Sequence, residues 1–353
     1  MASRRPRSAA ADPQRTINLA LQGGGAHGAF TWGVLDQLLE DGRIGVDGIS
    51  GTSAGSMNAV VLAHGLLDGR DAARQALQDF WRAVSDAGQR LNPWRWFGLP
   101  DPMAGDGPWA SLAGQWFSAV THAFSPYQFN PRQINPLREV LLQRVDFERL
   151  RRESPIGLFL AATHVRSGKA KVFGIDEAIT VDMVLASACL PQLFPAVEVD
   201  GEFYWDGGFM GNPVLYPLFY ETRSRDVLIV HINPIARDGP PPRTAEAILD
   251  RVNEISFNSS LVKELRAVAF VQKLMDAGWI RPEHQHKLRY VLMHSLRADK
   301  VLCDLPVNSK MRSDWAFLTD LRDRGRAAAA EWLAQNYRYL GQRSSVDLRQ
   351  EFL

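Results

Sequence analysis

The sequence predicts an α/β protein of three layers, α/β/α, in which helices pack on a central, mostly parallel sheet. Two observations lead to this prediction. Near the N-terminus, short apolar segments alternate with segments whose apolar residues recur at helical spacing, and glycine-rich stretches separate them. Later in the chain, strongly apolar short segments are bounded by turn signals, which is typical of further strands of the same sheet.

Two strand and helix pairs open the chain. Residues 16–21 alternate apolar residues with small or polar ones, as a strand does, and residues 30–39 carry an apolar stripe at helical spacing. Residues 46–50 are too short for a helix, and residues 56–64 again read as one. Because strands joined by right-handed crossovers are parallel, the loops after both strands should lie side by side at the carboxyl ends of the strands.

A segment rich in aromatic residues and proline follows over residues 80–130. Half of the ten tryptophans lie in it, and Trp94 and Trp96 are two of them. One interpretation is an excursion whose rings pack on the main core. The other is a lid or interfacial surface that holds acyl chains or bilayer, because tryptophan suits a boundary between apolar and wet surroundings. Trp94 and Trp96 are therefore candidate substrate contacts.

The remaining chain predicts more strands and helices around the same sheet. Asp200-Gly201 is a strong turn signal and predicts a hairpin that ends at Asp206. The Met and Phe residues at helical spacing within 256–275 are expected to lie in the core. The predicted elements are a helix over 135–150, strands over 155–165 and 170–174, a helix over 181–189, hairpin strands over 196–199 and 202–205, a strand over 226–232, a helix over 244–277, a strand over 287–296 and a helix over 314–339.

Composition favours one globular domain. Apolar residues make up 46% of the 353 residues and charged ones 22%, so a large core can be buried. Length alone suggests two domains, but the last third reads as packing around the same sheet. We therefore expect one domain over 15–343, in which 244–343 form a helical extension, followed by a tail over 344–353. Forty Lys and Arg balance thirty-nine Asp and Glu, so no nucleic-acid partner is expected.

The termini and cysteines bear on location. The first residues carry several arginines but no apolar segment of the kind that a signal peptide needs, and no later stretch is long and apolar enough to span a membrane. Cys189 and Cys303 cannot form a disulfide framework. These features favour a cytoplasmic protein with a disordered basic arm over residues 1–14, and they leave peripheral contact with a membrane open. The oligomeric state stays undetermined.

The stretch Gly51-Thr52-Ser53-Ala54-Gly55 is a candidate nucleophile elbow. It joins a predicted strand to a predicted helix, and glycines flank the serine at the two positions where a Cβ would clash in such a strained turn. The turn exposes the serine Oγ and points the first amides of the helix toward it. Ser53 is therefore the candidate nucleophile.

A second glycine-rich stretch follows the first predicted strand, Gly23-Gly24-Gly25-Ala26-His27-Gly28. It lacks the Gly-Lys-Ser/Thr ending of a P-loop, although its spacing and Asp47 leave a dinucleotide-binding fingerprint as a competing interpretation. Consecutive glycines at the start of a helix also expose N–H groups to a developing alkoxide. We favour an oxyanion hole made by Gly23, Gly24 and Gly25.

The candidate base is Asp206, which ends a hairpin strand and is followed by Gly207 and Gly208. These glycines let the backbone bend so that the carboxylate turns toward a neighbouring loop. A Ser-His-Asp triad is the alternative, with His231 or His294 as the histidine, but both histidines lie within or at the end of predicted strands. A metal site at His284, His286 and Cys303 is a further, weaker alternative. We expect no metal and no cofactor.

The three stretches together resemble the motifs of the patatin-like phospholipases, a family of lipid acyl hydrolases. The resemblance covers about residues 16–235, including Ala186-Ser187-Ala188-Cys189-Leu190-Pro191, and is much looser beyond residue 240. It implies a Ser-Asp dyad, in which Ser53 attacks a lipid ester, Asp206 accepts its proton, and water later releases the acyl group.

One position departs from the family pattern. Many members carry Lys or Arg where this chain has His27, and that cation is associated with the phosphate of a phospholipid. The role of His27 as a substrate contact therefore stands beside its interpretation as a helix-surface residue. Phospholipids, lysolipids, neutral esters, thioesters and polyesters all stay open as substrates. Acyl transfer, or a catalytically silent lipid-binding scaffold of the same fold, remains the alternative function.

Overall fold

The protein is described by a computed structural model that covers residues 15–90, 125–130, 132–237, 239–285, 287–303, 305 and 307–352. The arm predicted over residues 1–14 and most of the aromatic segment, including Trp94 and Trp96, lie outside these residues. Eight strands form one sheet. They are β1 Arg15–Leu21, β2 Ile44–Thr52, β3 Gly157–His164, β4 Ala170–Gly174, β5 Val197–Val199, β6 Glu202–Asp206, β7 Asp226–His231 and β8 Leu292–Arg297.

The sheet is mostly parallel, as predicted. Its strand order is β5-β6-β3-β2-β1-β7-β8, and β4 also pairs with β3. The pairs among β3, β2, β1, β7 and β8 are parallel, whereas β4, β6 and β5 join antiparallel through hairpins. This order puts β1 and β2 in the middle, so the two glycine-rich loops leave from adjacent strand ends.

Helices cover both faces. They are α1 Gly28–Asp41, α2 Ala54–Leu66, α3 Arg70–Arg90, α4 Pro126–Phe129, α5 Pro136–Arg144, α6 Phe147–Glu153, α7 Val181–Ser187, α8 Tyr216–Tyr220, α9 Ala245–Asp276, α10 Pro282–Gln285, α11 Asp299–Leu302, α12 Trp315–Asn336 and α13 Leu348–Phe352. Short 3₁₀ segments at Gly25–His27, Gly207–Phe209 and Val307–Met311 lie among them.

The side-chain alternation of the central strands feeds two separate cores. On β1, Leu19 and Leu21 enter the core beneath α1, α2, α3 and α12, whereas Ala20 between them enters the core beneath α8, α9 and α13. Successive residues of a strand point to opposite faces, so a strand whose two faces are both apolar must lie between two helical layers. The predicted three-layer α/β/α class is confirmed.

Local turn chemistry explains where some elements differ from the prediction. The single helix predicted over 135–150 is two helices, because Val145 leaves the helical conformation and the Asp146 side chain caps α6 by accepting the Arg149 N–H at 2.9 Å. Strand β8 begins at Leu292 rather than at 287. Phe270 of α9 is exposed, so the expectation that the aromatic residues of this helix lie in the core is wrong there.

The C-terminal segments return to the N-terminal half. Helix α12 crosses α1 at backbone contact distance: a β-carbon at Gly33 would lie 1.9 Å from the Arg322 carbonyl oxygen, and one at Gly325 would lie 2.1 Å from that of Phe30. Only glycine fits at both crossing points, because any side chain would overlap the facing backbone. Helix α12 thereby fixes the position of helix α1, which starts directly after the first glycine-rich loop.

Candidate active site

Ser53 occupies a strained turn between β2 and α2. Its backbone has φ 55° and ψ −121°, a conformation that non-glycine residues rarely adopt and that costs about 1–3 kcal/mol. The surrounding structure holds this geometry: the Ser53 N–H donates to Oγ of Ser187 at 3.0 Å, and that hydroxyl also bonds to Oγ of Ser56. The residue is 9% exposed. This turn has the shape that the Gly-x-Ser-x-Gly pattern predicts.

The first glycine-rich loop lies directly against this serine. A β-carbon at Gly23 would be 2.6 Å from Cβ of Ser53 and 2.7 Å from the Thr52 carbonyl oxygen. These distances are shorter than any van der Waals contact, so only glycine lets the loop approach. The two motifs are therefore one structural unit, as their predicted positions on adjacent strands require.

Asp206 also lies near Ser53, at the end of the antiparallel strand β6. Strand β3 lies between β2 and β6, and it pairs Ala161 with Thr52 and Ala162 with Asp206. Two strand spacings put the backbones of residues 52 and 206 about 10 Å apart. The next residue, Gly207, packs on the carbonyl oxygen of Ala161, where a β-carbon would lie 2.1 Å away. The aspartate turn thus lies beside the strand end that carries Ser53.

The carboxyl group of Asp206 is fully buried. Burial raises its pKa to about 6, against the lowering effects of the Gly208 N–H, of the nearby Ser53 side chain and of the positive charge on Lys310. Oδ1 accepts the Gly208 N–H at 2.7 Å. Oδ2 has no hydrogen-bond partner among the described residues. A buried carboxyl with a pKa near 6 can accept a proton at neutral pH.

The N–H groups of the first glycine-rich loop differ in whether they already donate a hydrogen bond within the protein. The Gly23 N–H donates to Oδ1 of Asn212 at 2.7 Å, so the prediction that this amide belongs to an oxyanion hole needs correction. Gly25 has φ 58° and packs on the Lys310 carbonyl oxygen. Within the described part of the chain, the N–H groups of Gly24 and Gly25 have no hydrogen-bond acceptor.

His27 is not a helix-surface residue. It ends a 3₁₀ turn whose outer side is covered by residues 307–311, and its Nε2 lies 2.7 Å from Oγ of Ser309. Burial, together with the positive charge of Lys310, lowers the pKa of His27 to about 3. The side chain is therefore neutral at physiological pH and does not supply the cation that the corresponding position carries in many relatives.

Residues without any motif signal complete the site. Nζ of Lys310 donates to Oδ1 of Asn233 at 2.8 Å, and Nδ2 of Asn233 donates to the Gly23 carbonyl oxygen at 2.7 Å. Oε1 of Gln22 accepts the N–H groups of Ile232 and Asn233. Gln22 directly precedes the first glycine-rich stretch, whereas Asn233 and Lys310 lie far from it in sequence. These side chains hold the first glycine-rich loop in place, and Lys310 places a positive charge beside it.

The two candidate histidines of a triad differ in position, because only His231, at the end of β7, lies at the same edge of the sheet as Ser53. Nε2 of His294 bonds to Oδ1 of Asp226 at 2.9 Å, at the start of β7 and thus at the opposite end of the sheet from Ser53. His231 ends β7, and burial lowers its pKa to about 3. Among the described residues, no hydrogen bond joins either histidine to Ser53 or Asp206.

The remaining motif residues have packing positions. Gly28 begins α1 against Ala54, Gly51 packs on Gly55 within the elbow, Gly55 abuts the end of β1, and Gly208 packs on Phe257. The described residues contain no cluster of three His, Cys, Asp or Glu that could hold a metal ion, and His286 is not among them. None of the described helices combines the length and apolarity that crossing a bilayer requires.

Comparison with known proteins gives a family and several similar structures. A family model described as "Patatin-like phospholipase" matches residues 19–218. VipD from Legionella pneumophila is 15% identical with a TM-score of 0.42, and the match covers 92% of this chain and 67% of VipD.

The type III effector protein ExoU is 17% identical with a TM-score of 0.34, over 92% of this chain and 54% of ExoU. The complex of SpcU with ExoU from Pseudomonas aeruginosa matches at 14% identity and a TM-score of 0.30, over 90% of this chain and 52% of the other. The chain thus spans about half the length of the ExoU chains. A comparison with curated proteins gave no match.

Proposed function

Because the chain belongs to the patatin-like phospholipase family, we propose that it is a lipid acyl hydrolase that cleaves carboxylic esters of lipids with a Ser53–Asp206 dyad. One observation supports this most directly. The strained Ser53 lies near enough to the buried Asp206 to influence the pKa of its carboxyl group, which burial raises to about 6. A serine hydroxyl is a weak nucleophile at neutral pH and needs such a base within reach.

In the proposed first step, Oγ of Ser53 attacks the ester carbonyl carbon while Asp206 accepts the hydroxyl proton. The carbonyl oxygen becomes an oxyanion, and the tetrahedral intermediate then collapses. The bond to the alcohol breaks as Asp206 returns the proton to the leaving oxygen, and an acyl-Ser53 ester remains. Water, deprotonated by Asp206, attacks this ester, and the second tetrahedral intermediate collapses. The bond between the acyl carbon and Oγ breaks as Asp206 returns the proton to Oγ of Ser53, and the fatty acid is released.

The proposed oxyanion donors are the N–H groups of Gly24 and Gly25, helped by the positive end of α2, which starts at Ala54. Gly23 is not a proposed donor, because its N–H is bonded to Asn212. It contributes only by letting the loop approach Ser53. An aspartate with a pKa near 6 is a modest base, which favours esters and thioesters over amides. Hydrolysis of the phospholipase A, lysophospholipase or esterase type fits this chemistry, with a lipid or acyl ester as the partner and peripheral contact with a membrane.

Release of nitrophenol from butyrate and octanoate esters tests the dyad. Ser53→Ala and Asp206→Asn should each lower kcat/KM by at least about 10³-fold, because each removes one half of the nucleophile and base pair. Asp200→Asn, in the exposed hairpin turn, is the matched control and should keep the rate. A serine-directed phosphonate should label Ser53.

Two results would contradict the proposal. If the Asp206→Asn enzyme keeps its full rate, Asp206 is not the base. A His231→Gln enzyme that loses several orders of magnitude while remaining folded returns the assignment to a triad.

A further inference from the structure

The aromatic ring of Phe257, in the first half of α9, lies against the turn that carries Asp206. A β-carbon at Gly208 would lie 2.4 Å from Cε1 of Phe257 and 2.9 Å from Oδ1 of Asp206. A single methyl-sized position thus touches both groups, so the edge of the ring stands beside the Oδ1 side of the carboxyl group. Phe257 is partly exposed, whereas Asp206 is fully buried.

Two other side chains hold this ring in place. The ring of Phe209 is 5.7 Å from it, centre to centre, at a tilt of 49°. Nζ of Lys310 lies 5.8 Å from the centre of the Phe257 ring, which is within the range of a cation–π contact. The same Nζ donates to Oδ1 of Asn233 at 2.8 Å. The ring is therefore packed between the aspartate turn and the segment 307–311.

The two oxygens of the Asp206 carboxyl group have different surroundings. Oδ1 accepts the Gly208 N–H at 2.7 Å and is the oxygen nearest to the Phe257 ring. Oδ2 is buried and has no hydrogen-bond partner among the described residues. An oxygen that is already bonded and covered exchanges protons poorly, so Oδ2 is the oxygen left to receive the Ser53 proton.

The other titratable groups that act on Asp206 come from two further segments. The positive charge of Lys310 lowers the pKa of Asp206, but burial has the larger effect and raises it to about 6. Cys189 accepts the Asp206 N–H on its carbonyl oxygen at 2.7 Å. Burial, together with the negative charge of Asp206, raises the pKa of the Cys189 thiol to about 12, so the thiol is neutral at physiological pH. Burial therefore dominates at this carboxyl group.

We propose that Phe257 is a positioning residue for the base: its ring covers the Oδ1 side of Asp206, keeps water from this oxygen and leaves Oδ2 to exchange the proton with Ser53. An aromatic ring cannot replace the hydrogen bonds of water, so it disfavours the charged carboxylate beside it. The inference rests on the proposed function, in which Asp206 is the base. Helix α9 begins beyond residue 218, where the family match ends.

The pH dependence of kcat/KM for a soluble nitrophenyl ester tests this role. Phe257→Ala admits water to Oδ1, so the acid limb should move to lower pH by about half a unit or more. Phe257→Leu keeps an apolar side chain over the carboxyl group and should restore most of the parental profile. Phe270→Ala is the matched control, because Phe270 is an exposed phenylalanine of the same helix, and it should leave the acid limb unmoved.

A folded Phe257→Ala enzyme whose acid limb stays at the parental pH overturns the proposal, even if its rate is lower, because the ring would then serve packing alone. If Phe257→Ala does not fold, Phe257→Gln takes its place. Glutamine keeps more of the volume and brings a polar group to Oδ1, so the same downward shift is expected. An unmoved acid limb in that variant likewise overturns the proposal.

A titration that does not depend on turnover separates this inference from the proposed function. Carbon-13 NMR of the aspartate carboxyl groups, with Asp206→Asn to assign the resonance, follows the pKa of Asp206 directly. This pKa should fall in Phe257→Ala. If it stays unchanged while Asp206→Asn abolishes ester hydrolysis, the dyad stands and the role of Phe257 is wrong. If it falls while Asp206→Asn keeps the full rate, the ring covers the carboxyl group as proposed and the dyad is wrong.

Discussion

Asp206 shows how one buried side chain links reactivity to stability. Its pKa of about 6 lies above the value near 3.8 that an exposed aspartate has. The folded protein therefore binds more protons than the unfolded chain between these pH values, and the free energy of unfolding falls as pH rises through them. The unfavourable contribution is complete above the folded pKa. A carboxylate kept ready to accept a proton is thus destabilising at neutral pH.

Asp206→Asn should stabilise the fold while abolishing turnover. The pKa difference corresponds to about 3 kcal/mol at pH 8 and to about half of that at pH 5. Urea unfolding of parent and variant at both pH values measures it, with Asp200→Asn as the control that should show no difference. A variant less stable than its parent at pH 8 would mean that the carboxylate is held by favourable contacts.

Lys310 lowers the pKa of Asp206, so its removal should shift the pH profile. Its positive charge lowers the pKa of both Asp206 and His27. Lys310→Met should move the acid limb of kcat/KM upward by roughly half a pH unit, because the carboxylate loses a favourable charge. Lys310→Arg should restore the profile, and Lys263→Met on the exposed side of α9 should leave it unchanged. If the rate falls but the acid limb of the pH profile does not shift, the role of Lys310 is structural and not electrostatic.

At the scale of elements, the site is a contact between loops that leave adjacent strand ends. The loop after β1 approaches the loop after β2 at Gly23, where a β-carbon would overlap both Ser53 and Thr52. The hairpin of β5 and β6 brings in the third loop through a turn in which Asp200 and Gly201 both have positive φ. The three loops can be short because the strands that precede them end at the same edge of the sheet.

Gly23→Ala tests this contact. The added methyl group must displace the elbow, so we expect a loss of about 2–4 kcal/mol in stability or of at least tenfold in kcat/KM. Gly174→Ala is the control, since a β-carbon at Gly174, at the end of β4, meets nothing within 4 Å and its φ is negative. Chemical denaturation and ester hydrolysis measure the two effects, and an unimpaired Gly23→Ala enzyme would show that the loops stand further apart.

The parts of the site with local signals could be predicted, and the parts without them could not. Ser53 and Asp206 carry turn chemistry beside short apolar segments, which indicates both their position and their orientation. Asn212, Asn233 and Lys310 lie in irregular segments, and only tertiary packing brings them to the loop. The burial of His27 could not be predicted, because it depends on residues 307–311, which are far away in sequence.

At the scale of the whole molecule, segments of the C-terminal third pack against the N-terminal half. Helix α12 packs along α1 at Gly33 and Gly325, and the segment 307–311 covers the turn at Gly25–His27. The family match ends at residue 218, before either of these elements. The segments that pack behind the first glycine-rich loop and α1 therefore lie in a part of the chain outside the family match.

Gly325→Val should weaken the whole fold and not α12 alone. Its side chain would overlap the Phe30 carbonyl oxygen, so we expect a loss of about 3 kcal/mol or more in one cooperative unfolding transition. Ala330→Val, on the exposed face of the same helix, should cost less than about 1 kcal/mol. Calorimetry of both variants measures the difference. Separate unfolding of the C-terminal third, with ester hydrolysis intact, would contradict a single unit.

The segment at residues 307–311 has a consequence for biosynthesis. A nascent chain that has emerged from the ribosome as far as residue 300 already contains the serine and the aspartate. It still lacks the carbonyl of Lys310 against which Gly25 rests and the hydroxyl of Ser309 that meets His27. The first glycine-rich loop thus gains these two contacts only after residues 309 and 310 have emerged, and shorter nascent chains lack them.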